Sequence, residues 1–372
     1  MSSQTNSAGA EAASAEERFA QAELLRMPFD HYARYRLAAE FVEAVRPGGG
    51  ARILDVGGGP GSLAAFVPAD RVLASDLVVP TTWHAAAPNL VVADGAALPF
   101  RAATFDAVVS LDTLEHVPAP HRQAVLTEVV RVSRGWALVV CPCATAGVAE
   151  ADAALLELVR RQFGEDFSTV DVLEEHLGYG HPDPAMVERT LRAAGADVAR
   201  IPSGRIDRWL PMMVLFFHLL ALGDDEPVER VQAWYNALFY RDDLRGPAYR
   251  QAFLCRTPSA SGPSLDDVER TLLPEGAPVS PDGLALQALQ ETLVQSLAQV
   301  SLRQRGELRR RDTEAQDQLR RLAVAEQRAE AAERATGEAE QRALALEVFR
   351  ERLLRHPAMR ARRALRSLLR RP

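Results

Sequence analysis

Residues 51–143 alternate short apolar runs, ARILDV, RVLASD, NLVVAD, FDAVVSL and WALVVCP, with Ala-rich or amphipathic segments. That rhythm leaves few choices. Runs of strand length divided by helical stretches are βαβ units, so the chain must build a mostly parallel sheet covered by helices on both faces. The first run ends in RILDVGGGPG at 52–61, where an aspartate is followed by closely spaced glycines. A strand that passes through glycines into a helix exposes backbone N–H groups at the sheet's carboxyl edge, where a nucleotide-type ligand is held. Acids end the next two strands as well: Asp76 lies 21 residues beyond Asp55, and Asp94 precedes Gly95. A carboxylate at the second of these places can accept the hydroxyl protons of a ribose.

A dinucleotide fingerprint requires G-x-G-x-x-G, but counting from Gly57 and Gly59 the last place is Ser62. The segment instead resembles the first motif of class I S-adenosylmethionine-dependent methyltransferases, of the methyltransferase type 11 kind. The resemblance continues through ASD at 74–76, ADGAALPF at 93–100 and FDAVVSLDTLEHVP at 105–118. It implies a Rossmann-like sheet with S-adenosylmethionine as cofactor. It further implies cofactor contacts at Asp55, Gly57, Gly58, Gly59, Gly61, Asp76, Leu77, Asp94, Gly95 and Leu111. Methyl transfer to a hydroxyl needs a base, and histidine is the usual one at neutral pH. The candidates are His116 in LEHV and His181 in EEHLGYGHPDP, with His176 beside it.

Beyond residue 143 the motifs fade. Two acceptor-side inserts are expected, about 144–184 and 205–245, with closing strands at 196–202 and 249–255. Arg205, Arg208, Trp209, Trp234, Tyr235 and Tyr240 in the second insert suit either a sugar or a helical core. The domain plan is a disordered leader (1–17), the methyltransferase domain (18–256), a Pro/Ser/Gly-rich linker (257–283), a helical segment (284–355) and a basic amphipathic tail (356–372). In the heptad register running from Leu308 to Leu353, ten of fourteen a/d positions are apolar and six of those are Ala, which predicts a weakly packed coiled coil and a homodimer.

Charge follows the same division. The chain carries −7 overall, whereas residues 284–372 hold 19 Arg against 12 acids. An acidic body argues against nucleic acid as a partner, and a basic tail suits an anionic membrane surface. The three cysteines, Cys141, Cys143 and Cys255, have neither disulfide nor metal spacing, so a reducing cytoplasm and no metal site are expected. The most apolar run, 209–223, is too short to span a bilayer. The layout resembles bacterial enzymes that modify surface polysaccharide at the inner face of the membrane, which makes a glycan or its precursor the first expected acceptor. The alternatives are a small molecule or lipid quinone, or a coiled-coil scaffold whose cofactor domain is not catalytic.

Overall fold

The computed structural model describes residues 15–80, 89–223, 225–276 and 283–355. The expected leader up to residue 14 and the basic tail 356–372 lie outside these residues. Two units are distinguished, residues 1–296 and 297–372.

In the first unit, seven strands form one sheet: β1 (Arg52–Val56), β2 (Arg71–Asp76), β3 (Leu90–Val92), β4 (Phe105–Leu111), β5 (Ser133–Pro142), β6 (Asp197–Arg205) and β7 (Ala248–Arg256). Their order is β3-β2-β1-β4-β5-β7-β6. The first five are parallel, and β7 runs antiparallel between β5 and β6. The period of two along each strand decides which helix it meets. Ile53, Ala107, Val109, Leu138 and Leu254 face one side, against α2 (Phe29–Val45). Leu54, Val108, Val139 and Phe253 face the other, against α3 (Arg122–Val132) and α6 (Pro184–Ala193). Both faces are thus covered, as the apolar runs require.

Two helices precede the first strand, α1 (Ala15–Leu25) and α2, divided before Pro28. Proline there has no N–H to give a continuing helix. The first insert folds as α4 (Val148–Phe163) and α5 (Ser168–Tyr179), the second as α7 (Ile206–Leu220) and α8 (Asp225–Phe239). These four helices bury their own apolar cluster, which Phe29 and Tyr249 join from the sheet side. The apolar run at 209–223 is consumed in this packing, and no helix among the described residues is long and apolar enough to cross a membrane.

Part of the expected linker is structured. Ser264 caps α9 (Leu265–Leu272), whose Val268 and Leu272 are buried in the core beside α2. Its anchors, with Leu265 and Leu273 partly buried beside them, are too few to stand out from the Pro/Ser/Gly-rich composition.

A single 73-residue helix, α10 (Gly283–Arg355), follows. Over the second unit its described surface mixes exposed apolar residues such as Leu319 and Phe349 with charged ones tied by ion pairs four residues apart, such as Arg321–Asp317 and Arg334–Glu330. Leu322 and Leu346, on the expected heptad seam, are each at least 60% exposed.

Candidate functional site

The strand order reverses between β1 and β4, and at that point an open α/β sheet holds its ligand beyond the carboxyl ends of the strands. The chain turns sharply there. Gly57, Gly59 and Gly61 all have positive φ, at 74°, 50° and 80°. A Cβ on Gly57 would stand 2.3 Å from the Thr113 side chain, and one on Gly58 2.6 Å from the Asp55 carboxyl. Glycine is therefore required at both places to let the turn close over Asp55 and against the loop after β4. The turn is pinned by Gly57 and Gly58 N–H groups donating to Ser75 O, and by Gly59 N–H donating to Asp76 Oδ2 at 3.1 Å.

In front of this turn lies a cavity of about 540 Å³ lined by Gly57, Asp76, Leu77, Asp94, Gly95 and His116, among others. Half of the ten residues expected to touch a cofactor, Gly57, Asp76, Leu77, Asp94 and Gly95, thus share one wall. Gly58, Gly59 and Gly61 form the turn behind it. Leu111 is buried in the core and lines neither this cavity nor the second one. Asp55 lies under the turn, 1% exposed, with both carboxylate oxygens unpaired. Burial, reinforced by Asp76 and opposed by Arg34, pushes its carboxyl up to about 7. The acids presented here accept hydrogen bonds when ionised, so a fitting ligand must bring donors. The ribose hydroxyls, adenine amino group and ammonium of S-adenosylmethionine are such donors, and the backbone bared at Gly57 and Gly95 leaves room for them. The residues fit that cofactor.

A second cavity of about 490 Å³ opens on the other side of His116, between the sheet edge and the insert helices. Its walls include Phe167, Val172, Met213, Phe216, Phe217 and Leu220, and its polar end is made by Asp112, Glu115, His116, His176 and Arg250. Two buried networks build that end. In one, Arg250 grips Asp112 through Nε at 2.7 Å and Nη2 at 2.6 Å, and also reaches Asp30 at 2.7 Å. Arg34 donates to the same Asp112, and Trp209 Nε1 donates to Asp30. Burial alone would raise the Asp112 carboxyl, but Arg250 and Arg34 hold it well below the usual carboxylate range. Asp112 takes a positive φ of 49°, a strained conformation that these two arginines sustain.

The second network runs through the inserts. Tyr249, stacked on Trp209, donates to Asp152 Oδ1 at 2.7 Å, and His176 Nδ1 and His181 Nε2 each donate to Asp152 Oδ2 at 2.9 Å. Against its burial, the two histidines hold the Asp152 carboxyl down at about 2. His176 Nε2 then meets His116 Nε2 at 3.3 Å, and His116 Nδ1 donates to Glu175 at 2.8 Å. Burial and the neighbouring His176 lower the His116 pKa, so its ring is neutral at neutral pH.

Of the two expected bases, His116 alone faces both cavities. His181 lines neither and instead supports Asp152. Of Arg205, Arg208, Trp209, Trp234, Tyr235 and Tyr240, Trp209 alone lines this cavity. Tyr235, Tyr240 and Arg208 are committed to Asp243, Glu40 and the Asp242–Asp243 pair. Asp30, Arg34, Asp112 and Arg250 were missed by sequence reasoning. The available signals were the i, i+4 spacing of Asp30 and Arg34 and the lone charge inside the run YRQAFLC.

Residues 54–141 match the family model described as a methyltransferase domain. No curated protein matches the chain. Similar solved structures include magnesium protoporphyrin IX methyltransferase from Synechocystis PCC 6803 with bound S-adenosylhomocysteine (14% identity, 67% of this chain and 90% of that one, TM-score 0.37). Another is a Haemonchus contortus phosphoethanolamine N-methyltransferase 2 in complex with S-adenosylmethionine (16% identity, 60% of this chain and 52% of that one, TM-score 0.39). The sheet order and the family match, rather than these scores, carry the assignment of the fold.

Proposed function

Starting from a chain that carries an S-adenosylmethionine-dependent methyltransferase domain, we propose that it methylates a hydroxyl on an acceptor with a largely apolar body, His116 receiving the hydroxyl proton. The observation that carries this reading is the position of His116, which lines the cofactor cavity on one side and the apolar cavity on the other.

The cofactor supplies an electrophilic methyl carbon, which the acceptor oxygen takes as the carbon–sulfur bond breaks. What the chain contributes is alignment and a dry site, the main sources of rate in such a displacement. The aromatic and aliphatic side chains of α5 and α7 exclude water and hold the acceptor body. The Asp112–Arg250 pair fixes the polar end. Glu175 orients His116 through Nδ1, so the proton would be taken at Nε2, the atom that faces His176 Nε2 at 3.3 Å.

An apolar lining favours a small molecule or lipid quinone over a glycan. A glycan carries hydroxyls along its whole length, and each one left unpaired against Phe167, Phe216 or Phe217 costs about 1–3 kcal/mol. Turnover assays with methyl-labelled cofactor separate the classes. Transfer to hydroxylated aromatics or quinols, and not to sugars, is expected. Replacing His116 by Gln should lower the rate on the order of 10²-fold. Transfer to a polysaccharide precursor alone would sink the reading, and binding without turnover on any acceptor would leave the scaffold alternative.

A further inference from the structure

Where the two cavities meet, hydrogen bonding turns two imidazole nitrogens toward one another. Asp152 and Glu175 each accept from the Nδ1 of a histidine, His176 at 2.9 Å and His116 at 2.8 Å. The two remaining ring nitrogens, both Nε2, face one another at 3.3 Å. Beside them Glu115 is fully buried with neither carboxylate oxygen paired, an arrangement that costs several kcal/mol if the group is ionised. One Glu115 oxygen and the two nitrogens lie within 4.8 Å of one another.

We propose that Glu115, His116 and His176 hold a divalent transition-metal ion of the Zn²⁺ or Co²⁺ class, with an open position toward the acceptor cavity. The spacing is that of ligands rather than of a donor and its acceptor. Two nitrogens bound to one tetrahedral ion at about 2.0–2.1 Å lie about 3.3–3.4 Å apart. A cation between them would be met by both ring nitrogens and would partner the orphaned carboxylate. Each histidine already has the carboxylate behind its Nδ1 that orients a metal-bound imidazole. Two nitrogens and one oxygen suit a borderline transition metal better than Mg²⁺ or Ca²⁺, which prefer all-oxygen sets. All three ligands line the acceptor cavity, so a fourth position opens onto it. Asp152, His176 and His181 make a second close group, but hydrogen bonds from Tyr249 and both histidines already occupy the Asp152 oxygens.

An ion held there would make an acceptor hydroxyl at its open position more acidic. The ion would then replace His116 as the activating group, and His116 would hold the ion. Ion binding itself does not depend on methyl transfer, so it is tested directly.

Full-length protein stripped with chelator is titrated calorimetrically with Zn²⁺ and with Co²⁺, the visible absorption of Co²⁺ reporting tetrahedral ligation. One ion per chain is expected. His116→Ala and Glu115→Gln, each checked by far-ultraviolet dichroism, should weaken binding at least about tenfold. His116 is partly exposed, so its variant keeps the test valid if Glu115→Gln does not fold. Failure of the stripped wild type to take up either ion overturns the site, as does wild-type binding by folded variants. Stripped protein that takes up no ion yet methylates an acceptor overturns the ion and leaves the proposed reaction standing.

Discussion

Replacing Asp55 by Asn tests the buried acid under the glycine turn. In the fold its carboxyl titrates at about 7, against an ordinary value of 3.8. The unfolded chain therefore ionises Asp55 from pH 3.8 upward, while the folded chain keeps it protonated to about pH 7. The raised pKa thus contributes no penalty below 3.8. Above that, stability falls by about 1.4 kcal/mol per pH unit, reaching a loss of about 4 kcal/mol at and beyond pH 7. Asparagine has no such titration, but its buried amide brings a pH-independent cost of about 1–3 kcal/mol if unpaired. Comparing two pH values removes that constant. At pH 4.5 the aspartate has lost about 1 kcal/mol and at pH 7.5 about 4, so the stability gap between variant and wild type should shift by about 3 kcal/mol in favour of Asn. Urea denaturation of both proteins at the two pH values measures it. Parallel pH dependences would refute the reasoning.

Gly57→Ala must resolve a 2.3 Å approach to Thr113 at a φ of 74°, so cofactor affinity should fall at least about tenfold by calorimetry. Arg250→Met leaves the buried Asp112 and Asp30 with Arg34 as their remaining cation and should cost about 3–5 kcal/mol in thermal or urea unfolding. Ending the chain before residue 284 should leave a monomer that still binds cofactor, whereas light scattering should find the full chain dimeric; a monomeric full chain would remove the coiled coil. For the tail 356–372, co-sedimentation with anionic vesicles should be lost in a chain ending at residue 355 and weakened by salt.

How far the sequence could be read depended on whether a signal was local. The strands of the cofactor half and its glycine turn were legible because each is a run of one period closed by a turn residue, and Asp55, Asp76 and Asp94 stand at strand ends by that same rhythm. Leu111 shared the rhythm but points into the core, since period two places it beside Val109 and not toward the cavity. The acceptor side was far less legible. Asp30, Asp112 and Arg250 are distant in sequence and meet only because β7 is inserted beside β5 and α2 crosses the sheet. Likewise His116 and His176 come from different layers, and a histidine on a Gly/Pro-flanked loop such as His181 looks more like a surface base than its neighbour in a helix. Pairings of that kind leave no local pattern.

The place of β7 also bears on how the enzyme comes into being. It is the last strand to be synthesised, yet it occupies the sheet between β5 and β6, and among the strands β6 pairs with β7 alone. A chain growing from its N-terminus can assemble the five parallel strands, and with them the cofactor wall, while β5 still presents an open edge. Tyr249 and Arg250, which knit the polar end of the acceptor cavity, arrive on that final strand. Synthesis in that order would complete the cofactor wall before the polar end of the second cavity, and translation stalled short of residue 248 would release a species with an uncapped sheet edge prone to aggregate.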